Sequence, residues 1–87
     1  MAFKVPGGTI KKGETIRSDG WSWPDGRDMG AQFFACRPAV HDCRLVISEQ
    51  TKMFIQEGSG LRWQYGFTVT NEGWTDTYYE IEGGGFV

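Results

Sequence analysis

The chain has 87 residues, a formal net charge of −2 and 15% aromatic residues, which together describe one small domain with enough rings to fill its own core. A charge this near neutral gives no electrostatic pull toward nucleic acid, and no apolar run approaches the ~20 residues that cross a bilayer as a helix. The opening Met-Ala-Phe-Lys-Val-Pro-Gly-Gly carries neither a hydrophobic stretch nor a cleavage site. That favours a cytosolic protein and leaves open a chain that begins after a processed leader.

In chain order, 13 glycines and three prolines separate short runs of β-favouring residues at the rhythm of an all-β domain. Phe3 to Val5 reads as an edge strand stopped by Pro6-Gly7-Gly8, and residues 9–17 as two extended pieces about Lys12-Gly13. Residues 18–26 are turn chemistry throughout, apart from Trp21 and Trp23. Residues 31–37 are apolar on both faces, Phe33 and Ala35 against Phe34 and Cys36, which predicts a central strand. Residues 44–48 put Leu45 and Ile47 on one face; a tight turn at Glu49-Gln50-Thr51 then leads to residues 52–57, where Met53 and Ile55 share a face. Gly58-Ser59-Gly60 is a flexible turn.

The stretch from Leu61 to Glu82 carries the clearest pattern. Trp63, Tyr65, Phe67 and Val69 recur every second residue, the period of a half-buried strand. Asn71-Glu72-Gly73 has the length and the glycine of a three-residue hairpin loop. On the return strand Tyr79 and Ile81 continue the apolar phase, leaving Trp74, Asp76, Tyr78, Glu80 and Glu82 on the other face. Gly83-Gly84-Gly85 loosens the end, with Phe86 and Val87 docking back or fraying.

No window shows apolar residues at helical spacing for even two turns. About seven short strands in a single domain, residues 1–87, predict an all-β fold. The expectation is a small antiparallel β-sandwich, two sheets packed in an Ig-like or jelly-roll-like manner, with a small β-barrel as the alternative. Its predicted interior is Phe33, Leu45, Ile47, Met53, Ile55, Tyr65, Phe67, Val69 and Ile81.

Three constellations could carry chemistry. Trp74 and Tyr78 interleaved with Asp76 and Glu80 combine a flat ring, which stacks on the apolar face of a sugar, with carboxylates that accept bonds from its hydroxyls. Packing of those rings under the 18–26 loop or against a second protomer is the competing reading. Trp21 and Trp23 would share one side of an extended segment, one plugging the sandwich and the other available as a second wall of the site.

Cys36 and Cys43, flanking a six-residue turn, either bridge or remain reduced. His41-Asp42-Cys43 lacks the geometry of a nucleophile and its base, and Cys36, His41 and Cys43 fall short of a four-ligand structural zinc site. Asp19, Asp25 and Asp28 lack the spacing of a calcium loop. The basic residues are spread among eleven acids, which speaks against nucleic acid.

The expectation is therefore a non-enzymatic binding module with no cofactor. Its ligand is a carbohydrate, met by Trp74, Asp76, Tyr78, Glu80, Trp21 and Trp23. The alternative is an interaction protein, a subunit of a homo-oligomer or an inhibitor, using the same aromatics as interface anchors.

Overall fold

An alternating strand needs a second sheet to cover its apolar phase, and six strands of this chain provide that cover for one another. The structure, a computed structural model, describes residues 2–85. The strands are β1 (Ala2–Ile10), β2 (Thr15–Trp21), β3 (Gln32–Pro38), β4 (Leu45–Glu57), β5 (Gly60–Asn71) and β6 (Thr77–Gly85), with a 3-10 turn at Pro24–Gly26. They form two antiparallel sheets, β1-β6-β3 and β2-β5-β4, a small β-sandwich rather than a closed barrel.

The core lies between the central strands. Tyr65, Phe67 and Val69 of β5 face Tyr79 and Ile81 of β6, joined by Ile10, Met29, Phe34 and Cys36, all buried. Phe34 stacks on Phe67 across the gap, with ring centroids 4.7 Å apart. Burying a ring or aliphatic side chain of this size contributes ~1.5–3 kcal/mol, so these few residues supply most of the drive to fold.

Several sequence expectations are corrected. β3 is an edge strand, and in a two-layer sandwich each strand has one face on the core: Phe34 and Cys36 point in, while Phe33 stays 54% exposed. Met53 is exposed, and Ile55, Leu45 and Ile47 are only partly buried. β1 continues through Pro6-Gly7-Gly8 by means of a bulge, and β6 runs to Gly85 instead of loosening at the glycines. Phe86 and Val87 lie outside the described residues. Cys36 and Cys43 are unbridged. Burial, and secondarily the charge of Glu82, pushes the Cys36 thiol up to about 11.

Residues 49–51 form a bulge within one 13-residue strand, not a turn. Arg17 on β2 braces the bulge. Its guanidinium reaches over β5 and donates to the Glu49 carbonyl at 2.7 Å and to Thr51 Oγ1 at 2.8 Å. The path is open because residue 66 is glycine; a Cβ there would collide with Asp19 Oδ1 and lie 2.9 Å from Arg17 Nη2.

The Asn71-Glu72-Gly73 segment is likewise not a hairpin loop. β5 and β6 belong to different sheets, so residues 72–76 cross from one to the other. Among the described residues, β4 and β5 form the one hairpin that stays within a sheet, turning at Gly58-Ser59. Beyond Trp21 and Tyr65, where β2 ends, that hairpin projects as a two-stranded ribbon.

Candidate recognition surfaces

Strand pairing divides the predicted site residues between the two ends of the sandwich. Ile10 pairs with Thr77 and Leu45 with Asn71, which gathers the turn at residues 11–14 and the loops 39–44 and 72–76 at one end. Ala2 pairs with Gly84 and Trp21 with Tyr65, which puts Trp21 and Trp23 at the other end.

At the first end, Asn71 organises the crossing segment. It is 1% exposed; its Nδ2 donates to the carbonyls of Thr75 (2.9 Å) and Ile10 (3.3 Å), and its Oδ1 accepts from Gly73 N at 2.9 Å. Gly73 is buried against residues 42–44, where a Cβ would stand 2.6 Å from Arg44 N. The amides of Glu72 and Trp74 donate to the carbonyls of Arg44 (2.8 Å) and Asp42 (3.0 Å). Asp76 accepts from the Lys12 amide at 2.8 Å, tying in the 11–14 turn. On this frame Trp74 stands 71% exposed.

Tyr78 begins the outer face of β6 and is half exposed. Glu80, next on that face, stands between Pro6 and Arg37, and Glu82 between Lys4 and Ala35. The four residues read from sequence as one strand face are thus split, with Trp74 and Asp76 on the loop and Tyr78 and Glu80 on the sheet. Cys43 Sγ meets Thr75 Oγ1 at 2.9 Å, while His41 Nδ1 pairs with Asp42 at 2.8 Å, so the histidine and the thiol have different partners. Among the described residues, no three His, Cys, Asp or Glu side chains gather as a metal site.

At the second end, Trp21 and Trp23 close the sandwich together, and both are partly buried. Phe3 lies 5.6 Å from Trp21 and 6.0 Å from Trp23 between ring centroids, and Trp23 meets Tyr65 edge-on at 5.6 Å. Neither forms a second wall beside Trp74. With Val5 and Ser22 they line a shallow depression of about 220 Å³.

The loop above them is fastened by Tyr65, whose hydroxyl donates to the Gly30 carbonyl (2.8 Å) and accepts from Met29 N (3.1 Å). Lys52 Nζ bonds Asp28 Oδ1 at 2.7 Å. That bond is the main reason the Asp28 carboxyl is held below, and the Lys52 ammonium above, its ordinary range.

The projecting ribbon is a surface the sequence reading did not isolate. Lys52, Phe54 and Gln56 lie across from Tyr65, Trp63 and Leu61, on the face that continues the core beyond the first sheet. Phe54 stacks on Trp63 at 4.4 Å with the ring planes 17° apart, and Lys52 Nζ sits 4.9 Å from the Trp63 centroid. Phe54 is 54% and Leu61 61% exposed. The available signal was the apolar triplet Met53-Phe54-Ile55, which has no single buried phase.

None of the helices is long and apolar enough to cross a membrane among the described residues. No protein-family model matches the chain, and no curated protein or solved structure is significantly similar to it.

Proposed function

We propose that the chain is a non-catalytic recognition module that binds carbohydrate at the Trp74 end of the sandwich. One observation carries the reading: Trp74 is the most exposed large hydrophobic among the described residues, yet its loop is fixed by backbone bonds on both sides and by the buried Asn71 amide. A loop held ready in this way loses little backbone entropy on binding, and the flat face of the Trp74 ring suits the apolar face of a sugar. A ligand running from Trp74 onto the sheet would meet Tyr78 and then Glu80, which lies ~7 Å further along the strand. Asp76 contributes by holding the loop. Trp21 and Trp23 take no part, being at the opposite end.

The test is a glycan array probed with wild type and Trp74→Ala, followed by titration of any hit. Binding lost at least tenfold in the variant with an unchanged melting temperature supports the reading. A blank array, or a hit indifferent to Trp74→Ala, rejects it.

A second reading, a protein that works through protein–protein contact, is favoured by the ribbon. Met53, Phe54 and Leu61 are half or more exposed on one short projection, more apolar surface than a solitary hairpin needs.

A further inference from the structure

We infer that β4 pairs edge to edge with β4 of a second copy of this chain, about a two-fold axis through Phe54. The inference is independent of the carbohydrate reading, since Trp74 lies at the other end of the molecule.

It begins with backbone hydrogen bonding. β4 is the outer strand of its sheet, and from Lys52 to Glu57 it belongs to the projecting ribbon. Glu57 and Gly60 flank a two-residue loop and so form a hydrogen-bonded pair. Alternation from there directs the N–H and C=O of Ile55 and Met53 toward β5, and those of Lys52, Phe54 and Gln56 toward the open edge. Three residues with the correct spacing are thus ready to accept another strand.

The other edge of the ribbon is covered. The Pro24–Gly26 turn packs against Arg62 of β5, and Arg62 Nη1 donates to Ser22 Oγ at 2.8 Å. Of the other edge strands, β1 and β2 are blunted by bulges, with Pro6 in the first, and β3 is a shorter edge of seven residues that stops at Pro38. The bulge at residues 48–51 also limits β4, leaving Thr51 to Glu57 as its regular stretch. Assembly through this one edge of each chain closes as a two-fold dimer and does not propagate into a fibre.

Side-chain complementarity selects the register. Antiparallel pairing of identical strands requires facing residues of the same hydrogen-bonding class. With Phe54 opposite Phe54, Met53 faces Ile55, Lys52 faces Gln56 and Thr51 faces Glu57, so all three apolar residues meet apolar partners and no like charges oppose. On the core-side face, the Trp63–Phe54 stack of each chain meets its counterpart to give a row of four rings. Placing Ile55 on the axis instead would face Phe54 with Gln56 and Met53 with Glu57, and placing Met53 there would face Phe54 with Lys52.

Sedimentation of wild type over roughly 1 μM to 1 mM, the range in which so small an interface associates, should show a shift from 9.8 kDa toward twice that mass. Phe54→Glu and Phe54→Lys should each remain monomeric, because like charges would meet on the axis, and their equimolar mixture should recover the dimer. A wild type that stays monomeric, or a dimer that survives Phe54→Glu, overturns the proposal. A mixture that fails to associate overturns the register. Cooperative melting checks that both charge variants are folded. Phe54→Cys in a Cys43→Ser background reads the register a second way: facing Cα atoms of a hydrogen-bonded pair stand ~5.5 Å apart, within disulfide reach, so oxidation should yield a covalent dimer.

Discussion

The two ends of the sandwich expose aromatic rings for different physical reasons. At the 72–76 end, polar groups do the work: a buried asparagine, a buried glycine and backbone bonds between neighbouring loops fix the main chain, and Trp74 is left outside. At the ribbon end, exposure results from missing cover. Phe54 and Trp63 continue the core face of β4 and β5 past the place where the opposite sheet stops. A ring on a fixed loop is preorganised for a ligand, whereas rings on an uncovered strand with an open edge call for more sheet.

The comparison can be broken most severely from the middle. Phe67 is fully buried and stacks on Phe34 between the two ends. Phe67→Ala should cost ~3–5 kcal/mol, comparable to the stability of so small a domain, and denaturant unfolding would measure it. A soluble variant melting cooperatively near the wild-type temperature would count against this core.

Asn71→Ala probes the first end alone. It strands the Thr75 and Ile10 carbonyls and the Gly73 amide, for an expected loss of about 2–4 kcal/mol. Amide hydrogen exchange should quicken at Glu72 and Trp74 and stay unchanged in residues 53–64. Quickening spread evenly over both ends would show that they are not separable.

The smallest effect belongs to the ribbon end. The Asp28 carboxyl is held low chiefly by its bond to Lys52, so the stability this gives is present above the ordinary carboxylate pKa and is lost as pH falls through the lowered one. The side chains of Lys52 and Asp28 are 34% and 48% exposed and so screened by water, and Lys52→Met should change the neutral-pH melting temperature little and soften its decline in acid. An acid profile identical to wild type would remove the pair from the account.

The alternation of Tyr65, Phe67 and Val69, and of Tyr79 and Ile81, was legible because each strand lies at the centre of its sheet with one face on the core. β3 misled because its outward face also carries apolar residues, Phe33 and Ala35, which the second sheet does not cover. Residues 49–51 resemble a turn by composition, and the bulge they form is held by Arg17 from β2, far away in sequence. Trp74 was identified as a candidate, but its grouping with Tyr78, Trp21 and Trp23 depended on which strands are neighbours.

By itself, the sequence determined the all-β class, the two central strands and the small size of the core, since these follow from period-two patterning and punctuation along the chain. Only the tertiary structure decided that residues 72–76 cross between sheets, that the tryptophans occupy opposite ends and that β4 has an open edge. Those properties depend on strand order, which is set by contacts between residues distant in sequence and leaves no local periodicity to read.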